Sequence, residues 1–181
     1  MEKLVLIDGH SILNRAFYGV PNLTNSEGLH TNAVYGFLNI LFKVLDEEKA
    51  DYLAVAFDLK APTFRHKMFD AYKGTRKPMP EELHEQVPLM KEVLTAMGVP
   101  ILTKEGYEAD DILGTIAKRE QKDGYEVTIL SGDRDLLQLS DTHIRICLPK
   151  TSRGTTEVHN YYPEDVIREY QVTPEQFIEV K

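Results

Sequence analysis

A single cysteine, Cys147, occurs in the whole chain, which excludes an internal disulfide and any zinc site built on cysteine thiolates. No stretch approaches the roughly 18 consecutive apolar residues of a membrane span. The amino terminus enters Leu4-Val5-Leu6-Ile7 at once, without the basic segment, apolar core and cleavage site of a secretory leader. The expected compartment is therefore the cytoplasm. Internal repeats and low-complexity tracts are missing as well. So is any excess of basic charge: 21 lysines and arginines stand against 29 acids, a net charge of −8. By composition alone that counts against a nucleic-acid binder. What remains is a globular chain of 181 residues, 42% hydrophobic and 28% charged, which fits one domain with a sizeable core.

The distribution of charge says more than its sum. Between Arg65 and Lys77 the chain carries Arg65, Lys67, Lys73, Arg76 and Lys77 against Asp70 alone, with Phe64, His66, Phe69 and Tyr72 interleaved. Such a segment serves equally as a solvated surface loop or as a phosphate-contacting, base-stacking strip. It lies in a connection, 59–80, that holds Pro62, Gly74, Pro78 and Pro80 around a helix-compatible stretch at 64–72. Connections this long inside a compact α/β chain are functional or mobile.

Short apolar runs read as strands at 4–8, 52–57, 99–102, 127–130 and 144–148, with one more short strand up to Val158 after a turn at 150–154. Helical spacing marks 31–48 through Val34, Phe37, Leu38, Leu41 and Leu45. A short helix capped by Ser11 should run to about Phe17, followed by a loop over 19–30. Another helix should run from Glu81 to Met97, kinked or broken at Pro88. An acid-rich helix starts near Glu108 and stops at Gly124, and short helices are expected at 135–139 and 163–170. Thr173-Pro174-Glu175-Gln176 is a capping-box signature. The chain stops soon after it, so a piece of a longer protein is expected. The alternation predicts an α/β fold, a central mostly parallel sheet with helices on both faces.

Three of these strands end in acids: Asp8, Asp58, and the pair Asp133 and Asp135. In a parallel sheet all would emerge at the carboxyl edge, where open α/β sheets place their ligand crevice. Glu108, Asp110 and Asp111 open the acid-rich helix beside them. Seven carboxylates converging there repel one another, so something positive must hold them together. Oxygen-only ligands point to magnesium or manganese. Each acid alone has a plainer explanation. Asp110 and Asp111 suit a helix start, Asp8 and Asp58 suit strand-end turns, and Asp133 and Asp135 suit a turn and a cap. Their recurrence tips the reading toward metal. Glu108 and Asp111 share a helix face while Asp110 points away, so all three serve one site only if the helix begins after Glu108. His10 reads as a polar neighbour of the site, and Cys147 as buried filler.

Seven segments together carry a resemblance: Leu4-Val5-Leu6-Ile7-Asp8-Gly9, His30-Thr31-Asn32-Ala33-Val34-Tyr35-Gly36-Phe37, Val55-Ala56-Phe57-Asp58, Thr63-Phe64-Arg65-His66, Tyr72-Lys73-Gly74-Thr75-Arg76, Tyr107-Glu108-Ala109-Asp110-Asp111 and Ser131-Gly132-Asp133-Arg134-Asp135. In this order, across essentially the whole chain, they resemble the 5′-nuclease domain of bacterial DNA polymerase I, in the flap endonuclease family, whose fold is PIN-like. The resemblance implies that Asp8, Asp58, Glu108, Asp110, Asp111, Asp133 and Asp135 are metal-site carboxylates for two magnesium ions, manganese being an alternative. Residues 59–80 would form part of an arch that admits a 5′ single strand. Lys73 and Arg76 would contact phosphates near the scissile bond, with Arg65 and Tyr72 in support. The implied activity is hydrolysis of DNA at 5′ ends and flaps in replication and repair, with a polymerase on the same native chain. Two departures stand out. His10 follows Asp8-Gly9 where similar sequences often carry Asn. The helix-turn-helix region that would follow, with two further aspartates, lies outside these residues. Two other readings stay open: a non-catalytic DNA-binding fragment, and a magnesium-dependent phosphatase-like domain. The phosphatase would want a second acid at the position of His10.

Overall fold

The structure, a computed structural model, describes residues 1–59, 79–152 and 155–180. Its centre is a six-stranded sheet in the order β3-β2-β1-β4-β5-β6. The strands are β1 (Lys3–Asp8), β2 (Tyr52–Ala56), β3 (Ile101–Leu102), β4 (Glu126–Leu130), β5 (Ile144–Ser152) and β6 (Thr155–Tyr161). The first five run parallel and β6 is antiparallel to β5. The helices are α1 (Gly9–Gly19), α2 (Asn32–Glu48), α3 (Glu81–His84), α4 (Gln86–Ala96), α5 (Ala109–Lys122) and α6 (Pro163–Tyr170), with 3-10 turns at Arg134–Leu139 and Glu175–Val180.

Alternate residues of the strands feed two separate cores. Val5 and Ile7 of β1 and Val55 of β2 pack with α1, α2 and α4 on one face. Leu6, Ala54, Ala56, Val127 and Ile129 pack with α5, α6 and the two 3-10 turns on the other. Both faces of the sheet are thereby buried, which is why the strands read as continuous apolar runs. Among the described residues, no helix is long and apolar enough to cross a membrane.

Several boundaries differ from the sequence expectation. Ser11 does not cap α1. The cap is Asp8, whose side chain accepts the Ser11 N–H at 3.4 Å, and the helix starts at Gly9. Only glycine fits there, because a Cβ would fall 2.6 Å from the Phe57 ring. The helix expected over 81–97 breaks at Glu85, not at Pro88. Pro88 falls in the first turn of α4, where its missing N–H costs nothing. The break frees Gln86, fully buried, to cap α2 from outside. Its Oε1 accepts the Ala33 and Val34 N–H groups at 2.8 and 3.2 Å, and its amide donates to Asn32 Oδ1 at 2.9 Å. Of the turn expected at 150–154, residues 150–152 instead belong to β5, which pairs antiparallel with β6, and 153–154 lie outside the described residues. The capping box at Thr173 forms with Gln176, by reciprocal bonds of 3.0 and 3.3 Å, but it opens a 3-10 turn rather than an α-helix.

Candidate metal and nucleic-acid site

The register brings the strand-end acids to one place. Asp8 of β1 stands opposite Ala56, and Ile7 stands opposite Leu130. Asp58, Ser131 and Asp133 therefore leave the sheet at the same edge as Asp8. Strand order reverses between β1 and β4, and such switch points open a crevice at the carboxyl ends of the strands. Asp8, Asp58, Glu108, Asp110 and Asp133 line a single cleft of about 1290 Å³ there, with His10, Arg15, His84 and Lys91 on its walls. Asp111 faces an adjoining groove, which it shares with Asp110. Asp135 follows Asp133 and donates its backbone N–H to that carboxylate at 2.9 Å.

The acid-rich helix begins after Glu108, which is its cap, in an extended conformation. That removes the constraint that helical spacing placed on Asp110. One carboxylate oxygen from each of Glu108, Asp110 and Asp111 lies within 4.8 Å of the others. The Asp111 carboxylate also accepts the Glu108 N–H at 2.9 Å, and Asp58 accepts the Ala109 N–H at 2.6 Å. The amino terminus of α5 thus supports acids from two elements with its free amides.

Asp8 is 8% exposed. Burial pushes its carboxyl up to about 7; hydrogen bonds from Ser131 and Ser11 oppose the shift, and the Asp58 and Asp110 charges add to it. Ser131, fully buried, ties the site together. Its hydroxyl donates to Asp8 at 3.0 Å and accepts the Asp133 N–H at 3.1 Å. Ser11 accepts the Gly132 N–H at 2.8 Å. Sequence reasoning gave neither serine this role. The available signal was a small hydroxyl residue just past each of two acid-bearing strand ends. His10 is a neighbour of the site, as its sequence position suggests: its Nδ1 accepts the Asp58 N–H at 3.2 Å. Cys147 is buried, which pushes its thiol up to about 12, so it is no nucleophile. Arg65, Tyr72, Lys73 and Arg76, with nearly all of the expected arch, lie outside the described residues.

The donor set is all oxygen, close-packed and partly desolvated, and it fits a hard divalent cation better than zinc or copper. Comparison with known proteins identifies the family. Residues 3–171 match the family described as the 5′-3′ exonuclease, N-terminal resolvase-like domain. The chain belongs to that family. It is 49% identical over 180 residues to DNA polymerase I of Bacillus caldotenax, and 49% identical over 180 residues to that of Bacillus subtilis (strain 168). In each case the match covers 99% of this chain and 20% of the relative, so the chain spans about a fifth of these proteins. The fold is shared with the T5 5′-exonuclease carrying zinc ions, at a TM-score of 0.73 and 24% identity over 98% of this chain and 64% of that one. Human GEN1 bound to Holliday junction DNA shares it more distantly, at 0.59 and 14% over 98% of this chain and 42% of that one. The PIN-like architecture expected from sequence is the one observed.

Proposed function

We propose that the chain is the catalytic part of a 5′ nuclease that hydrolyses DNA phosphodiesters at 5′ ends and flaps, during replication and repair. One observation carries the reading: acids from three strand ends and one helix start converge in a cleft at the switch point of a 5′-3′ exonuclease fold. Asp8, Asp58, Glu108, Asp110, Asp111, Asp133 and Asp135 are the residues that would hold two magnesium ions, with manganese as a substitute. When bound, such ions supply an activated water and charge stabilisation at the leaving oxygen.

The chain's own groups prepare that chemistry. Ser131 and Ser11 fix the Asp8 carboxylate, and Ser131 also fixes the Asp133 main chain. The first amides of α5 fix Asp58 and Asp111. His10 holds the Asp58 main chain through a ring nitrogen that is therefore occupied. Lys73 and Arg76 would neutralise charge on the reacting phosphate, with Arg65 and Tyr72 as further contacts on an arch at 59–80. A helix-turn-helix region beyond residue 181 would grip the duplex, and the curated relatives' name supports a polymerase on the same native chain.

The test is cleavage of a labelled 5′-flap DNA with magnesium, with manganese and with chelator. It uses this chain and a version extended through the helix-turn-helix region. Metal-dependent cleavage by the extended version supports the proposal, whether or not the shorter chain also cuts. Metal-independent binding without cleavage by either would leave a DNA-binding module. Hydrolysis of phosphomonoesters alone would move the site to phosphatase chemistry.

A further inference from the structure

Phe57, fully buried at the end of β2, occupies the space that Gly9 leaves open. The His10 ring meets it edge-on, with centroids 5.2 Å apart and planes at 84°. The Lys91 ammonium, carried by α4, sits over the ring 5.2 Å from its centroid. Lys91 lines the same cleft as Asp8, Asp58, Glu108, Asp110 and Asp133. Among the described residues it nevertheless makes no ion pair. A flexible lysine in an acid-lined cleft ordinarily reaches a carboxylate. Here the ring face attracts the ammonium and leaves its charge unneutralised. The result is a cation fixed in place within the cleft that the carboxylates line.

We propose that Lys91 is a phosphate-contacting residue of the cleft, its ammonium meeting a non-bridging oxygen of the DNA strand that lies there. Phe57 is its positioning residue. This rests on the nuclease reading and deepens it: the described core carries its own anchor for the substrate backbone, separate from the basic segment at 65–77. A lysine suits the task because an ammonium is a compact point charge that any backbone phosphate satisfies, whatever the base attached to it.

The experiment compares wild type, Lys91→Met and Lys91→Arg, in the chain and in its extended version, on 5′-flap DNA. Lys91→Met should raise KM about fivefold with a smaller change in kcat. It should also lower the slope of log affinity against log salt by about 0.7 to 0.9, one phosphate contact's share. Lys91→Arg should restore the slope. In a scan of single uncharged methylphosphonates along the cut strand, one position should weaken wild type and leave Lys91→Met unaffected. An unchanged salt slope in Lys91→Met, or a scan with no such position, overturns the proposal. So does weakened binding that comes with a lowered melting temperature and an intact slope, the mark of a packing role alone. Wild type that neither binds nor cuts flap DNA with any metal would defeat the nuclease reading itself, a result distinguishable from all of these.

Discussion

At the amino edge of β4 and β5, Glu48 from the end of α2 pairs with the Arg145 guanidinium, and Arg145 in turn donates to Thr128 at 3.2 Å. Beside them Glu126 accepts the Tyr162 hydroxyl and lies 2.9 Å from His143 Nδ1. At the carboxyl edge of the same sheet, Asp8 rests on a serine hydroxyl and one backbone amide, and the Asp58 carboxylate on the Ala109 amide, while His10 Nδ1 accepts the Asp58 N–H. Among the described residues, no lysine or arginine pairs with Asp8, Asp58 or Asp133. One edge meets its acids with internal partners, a guanidinium at Glu48 and a hydroxyl and an imidazole at Glu126. The other, among the described residues, fixes Asp8, Asp58 and Asp133 with neutral partners, an arrangement suited to receiving a cation. The first arrangement serves the fold, and the second gives up some stability to keep a site ready.

Substitutions at the two edges should therefore separate activity from stability. The largest effect is expected at the carboxyl edge: Asp58→Asn and Asp133→Asn should each lower flap cleavage by about a thousandfold, some 4 kcal/mol of barrier. Their urea midpoints should be unchanged or raised. Near-normal activity in both would remove the metal assignment. At the amino edge, Arg145→Met strands the Glu48 carboxylate and should destabilise the fold by about 3 kcal/mol. The double variant with Glu48→Gln should recover part of that loss. Equal stability of single and double variants in urea titrations would show that the pair does not act as a unit.

A pH-dependent effect follows from Asp8. A carboxyl whose folded pKa is raised costs the fold nothing at pH values where it is protonated both folded and unfolded. The cost grows as pH rises from about 4, the unfolded value, and is complete above about 7. Without metal, Asp8→Asn should therefore stabilise the protein by up to about 4 kcal/mol at pH 8 and hardly at all at pH 4. A pH-independent gain would mean that repulsion and burial of charge are not the cause. The smallest change belongs to Asp141, which precedes β5 and bridges to Ile144 at the amino edge. The Gln121 amide, with the Thr142 N–H and Lys118, holds its carboxyl down at about 2. The stability it contributes is present above about 4 and lost as pH falls toward 2. Asp141→Asn should thus flatten only the acid end of the stability profile, by an amount that surface screening keeps small.

How much of this was legible beforehand varies with the physics involved. The strands and their carboxyl-edge acids could be read because burial on both faces produces unbroken apolar runs and the turn that ends each run is short. The long helix α2 was legible from its periodicity, whereas its cap was not. Gln86 lies more than 50 positions away, and nothing local announces that a distant amide will satisfy Ala33 and Val34. The break at Glu85 was hidden for a related reason. Proline drew attention to position 88, although a first-turn proline is tolerated. Glu108, Asp110 and Asp111 looked incompatible on an ideal helix, and only the extended cap conformation of Glu108 reconciles them. Ser131 reaches Asp8 across 123 positions of sequence while also holding Asp133, a link that spacing rules cannot reach. The Lys91–Phe57 contact is tertiary in the same way.

The most direct measurement is a thermal melt of the chain during titration with magnesium, and then manganese, beside the Asp58→Asn/Asp133→Asn double variant. Ligand that binds only the folded state raises the melting temperature as its concentration passes the dissociation constant. Wild type should rise steadily with either ion, and the double variant should stay flat from a starting point at or above wild type. An unresponsive wild type, or an equal rise in both proteins, would contradict the claim that the carboxyl-edge acids are set in place to receive metal.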